Sequence, residues 1–183
     1  MAVELPPGSE CVLTAAEVDS GVTRLAAKVQ PYVDSSECVL VAVMTGGMYP
    51  LVRLAEHLEG DFLIDYCHAT RYGDALTGGA IEWLAEPSVD LDGRTVIIVD
   101  DIWDEGTTLA AVVARCVELG AARVLSAVLF IKERERTAAA RAPELDAALR
   151  VPDRYVFGCG MDMNYHWRHL PAVYALPVQG ESS

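Results

Sequence analysis

Apolar positions fall into two kinds of block along the chain. Unbroken apolar runs at 38–44 (Cys-Val-Leu-Val-Ala-Val-Met) and 96–99 (Val-Ile-Ile-Val) have the continuous character of strands buried on both faces, and 123–131 (Arg-Val-Leu-Ser-Ala-Val-Leu-Phe-Ile) reads as another buried strand. Residues 62–69 (Phe-Leu-Ile-Asp-Tyr-Cys-His-Ala) predict a further strand, and 81–84 resume extended structure. Between these runs the period changes. Val18, Val22, Leu25, Ala26 and Val29 recur at helical spacing, which predicts an amphipathic helix over 15–33, opened by the capping pair Thr14 and Glu17. Further helices are predicted over 51–58 and 108–119, the last stopped by Gly120. Residues 1–10 read as a loosely ordered arm, 70–79 as a long polar loop, 91–94 as a turn, and 137–148 as a short alanine-rich segment.

Strands alternating with helices imply an α/β fold with a central parallel sheet flanked by helices. A chain of 183 residues with 52% hydrophobic content makes one domain spanning 1–183 and can bury a substantial core. A net charge of −13, from 14 basic and 27 acidic residues, disfavours a nucleic-acid or anionic-membrane binder, which needs a basic face. The five cysteines are widely spaced, odd in number and without a Cys-x-x-Cys pair, which points to a reduced cytoplasmic chain. No signal peptide is visible at the amino terminus, and no apolar run approaches the ~20 residues of a membrane span.

The chemistry concentrates where the run 96–99 stops at charge. Asp100 and Asp101 stand at the carboxyl end of that strand and are followed by Ile-Trp-Asp104-Glu105-Gly106-Thr107-Thr108 and a helical pattern. Ligands of open α/β sheets collect outside the carboxyl ends of strands, where a glycine turn and a helix amino terminus present amides to a phosphate. The backbone of Glu105, Gly106, Thr107 and Thr108, with the two threonine hydroxyls, forms such a cradle. Paired carboxylates beside it suit a diol or a divalent metal shared with a polyanion. Together these features suggest a sugar phosphate. Neither the Walker pattern nor the Gly-x-Gly-x-x-Gly fingerprint occurs here.

Val-Asp-Asp-Ile-Trp-Asp-Glu-Gly-Thr-Thr-Leu resembles the phosphoribosyl pyrophosphate (PRPP) motif of type I phosphoribosyltransferases. The block from Val151 to Pro171 resembles the carboxyl-terminal hood of their hypoxanthine-guanine branch, Pro-Asp-Lys-Phe-Val-Val-Gly-x-x-Leu-Asp-x-Asn-x-x-x-Arg-x-Leu. The likeness runs from Cys38 to Leu170. It implies that fold, with a core over about 15–150, a flexible loop, and a small hood from about 151–183 joined by the amino-terminal arm.

The resemblance also implies roles. Asp100, Asp101, Asp104, Glu105, Gly106, Thr107 and Thr108 would bind PRPP. Asp104 would be catalytic, accepting the imidazole proton of the base. Thr45, Gly46 and Gly47, with Arg168, would bind pyrophosphate. Arg71 and Tyr72 would belong to the flexible loop that closes over the reaction. Lys132, Tyr155, Val156 and Asp162 would bind the purine, Lys132 at the 6-oxo group and Tyr155 through its ring face. The implied cofactor is Mg2+, held by Asp100, Asp101 and Asp162. The implied reaction makes IMP or GMP from hypoxanthine or guanine in purine salvage, by a homodimer or homotetramer.

Three positions depart from the common pattern: Thr45 where a Lys or Arg is usual, Glu105 for Thr and Thr107 for a frequent Lys. They lower the expected PRPP affinity. Two other readings follow: a xanthine-preferring phosphoribosyltransferase, and a non-catalytic nucleotide-sensing regulator that binds RNA, which the shortage of basic residues disfavours.

Overall fold

The computed structural model describes residues 4–35, 37–71, 81–137 and 140–177. Six strands form the main sheet in the order β4-β3-β2-β5-β6-β7. They are β2 (Cys38–Val43), β3 (Phe62–Arg71), β4 (Ile81–Ala85), β5 (Thr95–Trp103), β6 (Arg123–Glu133) and β7 (Leu145–Pro152). All neighbours pair parallel except β4, which lies antiparallel on the β3 edge. Helices cover both faces, as the continuous apolar strands require. On one face, α1 (Ala15–Ser35) and α2 (Met48–Ala55) pack Leu25, Val29 and Leu54 against Leu40, Ile97 and Val99. On the other, α3 (Thr107–Glu118) packs Leu109, Val112 and Cys116 against Val39, Val41, Val96 and Ile98. Alternate residues of β5 therefore feed two cores, which is why the strand is wholly apolar from Val96 to Val99.

The capping pair forms as expected. The Thr14 amide and hydroxyl both donate to Glu17 Oε2, at 2.8 and 2.7 Å, and the Glu17 amide donates to Thr14 Oγ1. Several boundaries move. The strand predicted to stop at Val99 runs on through both acids to Trp103, because Asp100, Ile102 and Trp103 keep their ladder partners Val128, Phe130 and Ile131 on β6. Helix α2 begins at Met48 and ends at Ala55, directly after the glycine turn. Strand β3 continues into Thr70 and Arg71, which the polar pattern had assigned to a loop. Within the alanine-rich segment, Leu145–Pro152 is a strand whose odd positions are buried. The arm is partly ordered: β1 (Glu10–Leu13) joins β9 (Val173–Ala175) and β8 (Val156–Phe157) in a second sheet, ordered β1-β9-β8.

This small sheet carries the carboxyl-terminal block to the rim of the main sheet. Arg154 ties it to the arm, donating to the Leu176 carbonyl at 2.9 Å and pairing with Glu10 at 2.7 Å. Phe157 stacks on Tyr174 and meets Trp167, with ring centroids 5.7 and 5.6 Å apart. Those contacts shape the turn from Gly158 to Leu170. Its Gly158 adopts φ +101°, and a Cβ there would overlap the Ala172 carbonyl.

Candidate active site

Two cavities lie side by side at the carboxyl ends of β2, β5 and β6. The first, about 230 Å³, is walled by Gly46, Asp100, Asp101, Trp103 to Gly106 and Thr108. The second, about 210 Å³, is walled by Lys132, Tyr155, Val156, Met161 and Asp162. Asp101, Ile102 and Asp104 line both, so the end of β5 is their common wall.

In the first cavity, Gly106 caps α3 in the left-handed conformation (φ +78°) with no side-chain cap bond. The amino terminus of α3 therefore stands at the cavity with no side chain capping it, an arrangement suited to an anion. Glu105 and Thr107 are exposed, Thr108 is half-buried and lines the cavity. Asp100 and Asp101 are half-buried at consecutive positions of β5. Each accepts a hydrogen bond from the amide after it: Asp101 N to Asp100 Oδ1 at 2.9 Å, and Ile102 N to Asp101 Oδ1 at 2.7 Å. Desolvation, then the neighbouring Asp101 charge, raises the Asp100 carboxyl well above its ordinary range. Burial raises Asp101 to about 6, against the opposing pull of the Ile102 amide and the Arg168 charge. Two carboxylates so crowded are short of positive charge, and a hard divalent cation meets that need. Asp162 lies across the second cavity, ion-paired to Arg168 at 2.7 Å, and its other oxygen accepts from the Tyr165 amide. Among the described residues no three acidic, histidine or cysteine side chains form one cage. Mg2+ usually keeps several waters and binds through one or two carboxylates plus substrate phosphates, so Asp100 and Asp101 on one side and Asp162 on the other fit it as separate partial ligands.

The double-glycine turn is explained first by close packing. A Cβ on Gly46 would overlap the Asp101 carboxylate, and one on Gly47 would overlap the Val99 carbonyl. Gly47 has φ −64°, so it is needed for space rather than for a left-handed backbone. The Met44–Thr45 peptide is cis. From the hood, Gly160 (φ +105°) packs so closely on Gly46 that a Cβ would overlap the Gly46 carbonyl. The Arg168 guanidinium, which donates to the Gly160 carbonyl at 2.7 Å, is thereby brought beside the turn. Thr45 and Arg168 face a separate apolar cavity of about 290 Å³ with Met48, Tyr49 and Val52, rather than the cavity of the acids.

In the second cavity, Lys132 Nζ pairs with Asp104 Oδ2 at 2.8 Å. Arg134 Nη1 takes the other carboxylate oxygen at 2.7 Å. Burial pushes Asp104 upward, but the hydrogen bonds and charges of Lys132 and Arg134 outweigh it and hold the carboxyl below its ordinary range. Tyr155 is half-exposed at the mouth, while Val156 is buried, its strand paired to Ala175. Arg136 donates to the carbonyls of Trp103 and Asp104 and stacks 3.7 Å over the Trp103 ring.

The structure thus gathers Asp100, Asp101, Asp104, Gly106, Thr108, Lys132, Tyr155, Val156 and Asp162 around the two adjoining cavities, with Gly46 and Arg168 at their edge. Tyr72 lies outside the described residues, and for Arg71 only its place at the end of β3 is described. Sequence reasoning passed over Arg134, Arg136 and the stacking role of Trp103. Their only local signal was three cations at alternate positions from Lys132 to Arg136.

Comparison with known proteins bears on this arrangement. Residues 12–166 match the family model described as "Phosphoribosyl transferase domain". A hypoxanthine phosphoribosyltransferase of Salmonella typhimurium is 28% identical over 167 residues, covering 90% of this chain and 93% of that one. A hypoxanthine-guanine phosphoribosyltransferase of Aquifex aeolicus is 26% identical, covering 74% and 76%. Among solved structures, a hypoxanthine phosphoribosyltransferase of Staphylococcus aureus superposes with TM-score 0.85 at 20% identity, covering 95% of this chain and 94% of that one. The matched residues hold the strand that carries the paired acids near its end, the glycine-capped helix after it and the first part of the hood, and the protein belongs to the phosphoribosyl transferase domain family.

Proposed function

We propose that the protein is a purine-salvage phosphoribosyltransferase converting hypoxanthine or guanine, with PRPP, to IMP or GMP and pyrophosphate. The observation that carries this reading is the common wall of the two cavities. A sugar phosphate in the first and a flat base in the second would meet at Asp101–Asp104, where a bond between ribose and base must form. The names of the relatives support the same substrates.

In this reading the whole chain works as one unit, a core over about 15–150 with the hood and arm closing over it. The 5′-phosphate sits on the Glu105–Thr108 turn. Asp100 and Asp101 hold the ribose diol and the Gly46–Gly47 turn takes the pyrophosphate, which Thr45 and Arg168 reach by turning from the apolar cavity they line. Arg168 serves as a planar donor to the pyrophosphate oxygens. Tyr155 stacks on the base, the Val156 backbone meets its edge, and Lys132 turns from Asp104 to donate to the 6-oxo group. As the base nitrogen bonds to the anomeric carbon, the bond to pyrophosphate breaks, and Asp104 accepts the proton from the imidazole ring. Arg134 keeps one Asp104 oxygen in place while Lys132 is engaged elsewhere. Mg2+, when bound by Asp100, Asp101 and Asp162, neutralises the polyanion and leaving group. Arg71 and Tyr72 belong to a loop that covers the reaction. Self-association as a homodimer or homotetramer, and a cytoplasmic location, complete the proposal. Half-exposed Met48 and Val52 beside Thr45 offer apolar surface for association. All five cysteines are free thiols, and no helix among the described residues is long and apolar enough to cross a membrane.

The test is pyrophosphate release from PRPP and Mg2+ with hypoxanthine, guanine, xanthine and adenine in parallel. Turnover with hypoxanthine or guanine supports the reading, and a preference for xanthine replaces it with the xanthine-specific one. An intact fold that turns over no base would favour a nucleotide-sensing regulator.

A further inference from the structure

Four backbone carbonyls at the ends of two neighbouring strands converge on one guanidinium. Arg136, three residues beyond β6, donates from Nε to the Asp104 carbonyl at 2.6 Å and from Nη1 to the Arg134 carbonyl at 3.0 Å. Its Nη2 donates to the carbonyls of Trp103 at 2.8 Å and Lys132 at 2.5 Å. The guanidinium carbon also lies over the Trp103 ring, 3.7 Å from its centroid. Two of the carbonyls belong to the end of β5 and two to the end of β6 and the segment after it. Each bond goes to main chain, although arginine more often forks onto a carboxylate. Beyond Trp103 and Glu133 the β5–β6 ladder has ended, so the guanidinium takes over the joining of the two segments.

The two residues so joined carry opposite halves of the base chemistry. Asp104 follows Trp103 on one segment, and Lys132 stands at the end of the other. We propose that Arg136 is a positioning residue, which with Trp103 fixes the distance between the Asp104 carboxylate and the Lys132 ammonium across the base cavity. This inference rests on the base-binding reading given above. Lys132 can leave Asp104 for a base oxygen without the strand ends drifting apart, because the spacing is held by the backbone clamp and not by the ion pair itself. A lysine at 136 could not span four carbonyls or stack on the indole, since its ammonium is a compact point charge with no planar fork. A misplacement of about 1 Å in a reacting group can cost on the order of 100-fold in rate.

The full-length protein is assayed as wild type, Arg136→Lys, Arg136→Ala and Trp103→Leu, with kcat and the KM values for base and for PRPP measured separately beside thermal unfolding. For Arg136→Lys, kcat/KM for the base should fall roughly 10- to 100-fold, while KM for PRPP stays within about threefold. Added guanidinium at millimolar levels should restore part of the kcat of Arg136→Ala, and methylammonium should not, because only the planar cation refills the stack and the fork. Trp103→Leu keeps the carbonyl bonds and loses the stack, so its loss in the base-side parameters should be smaller than that of Arg136→Lys, while its KM for PRPP is free to change because Trp103 also walls the first cavity. A folded Arg136→Lys with wild-type kcat and base KM overturns the inference. So does a loss shared equally by PRPP and base with no guanidinium rescue, the pattern of general loosening. Should Arg136→Ala not fold, the Lys and Leu variants decide the matter alone. A wild-type chain that turns over no base sinks the base-binding reading and this inference with it, whereas active wild type with an unaffected Arg136→Lys sinks the inference only.

Discussion

Lys132 and Asp104 form an ion pair of 2.8 Å across the second cavity, while Arg134 holds the second Asp104 oxygen at 2.7 Å. The pair joins the end of β6 to the end of β5 and leaves both groups partly shielded, with side-chain exposures of 14% and 36%. In such surroundings the carboxylate is oriented by two donors, and under the proposed function a base entering the cavity would compete for one of them.

Replacing Asp104 by Asn keeps the shape and removes the charge. Turnover should fall by roughly 100- to 10,000-fold, the range of a lost general base, with KM for PRPP changed far less. Steady-state kinetics with hypoxanthine and PRPP varied in turn make the check. Equal losses on both substrates would place Asp104 in PRPP binding rather than in proton transfer.

Lys132→Met should separate base selection from ribose-phosphate binding. Under the proposed function the ammonium donates to the 6-oxo group, so catalytic efficiency with 6-oxopurines should drop at least about 100-fold. The Asp104 carboxylate, freed of one partner and retaining Arg134, stays ionised at neutral pH. Competition assays with hypoxanthine against adenine report the result, and an unchanged ratio between the two bases would remove Lys132 from base recognition.

Much of this site was legible locally. Asp100 to Thr108 declare themselves because a buried strand, charge, glycine and helix occur in one continuous stretch, and the hood because its motif is nearly contiguous. The end of β5 was misjudged since aspartates are depleted in strands, whereas here ladder bonds to β6 carry the strand through them. Strand β7 was hidden by Ala147 and Ala148, residues that favour helix intrinsically, although Leu145, Ala147, Leu149 and Val151 alternate inward once the β6 edge is present. Arg136 and Trp103 are 33 residues apart, and nothing in either neighbourhood announces that they meet. Gly46 and Gly47 were read for an anion, and their absent side chains first make room for Asp101 and Val99.

Gly46→Ala tests that close packing. The new Cβ would overlap the Asp101 carboxylate, so either the turn or Asp101 must shift. The site lies at the cleft and not in the core. The cost in stability should stay near 1–3 kcal/mol, typical of overpacking, while KM for PRPP rises on the order of tenfold or more because Asp101, the proposed ligand of the ribose diol, is displaced. Thermal unfolding and PRPP-dependent kinetics together decide it. A variant with native PRPP kinetics would show that Asp101 need not occupy its present place.

Glu144 provides a pH-dependent brace remote from the catalytic groups. Its Oε2 accepts from the amide and the hydroxyl of fully buried Ser126 at 2.8 and 2.7 Å, and Arg141 pairs with the other oxygen. Burial raises its carboxyl, but the two Ser126 bonds, its own amide and the Arg141 charge prevail and hold it below the ordinary glutamate range. Because the folded value lies below the unfolded one of about 4.3, the ionised carboxylate stabilises the fold above that pH. The contribution is lost as pH falls through the depressed folded value. Glu144→Ala leaves two Ser126 donors without a partner in the interior and should cost about 2–3 kcal/mol at pH 7. Between pH 7 and pH 3 the gap between wild type and variant in urea-unfolding free energy should narrow, since wild type alone loses the carboxylate's share. A gap that stays constant across this range would mean that the Ser126 bonds do not depend on the charge.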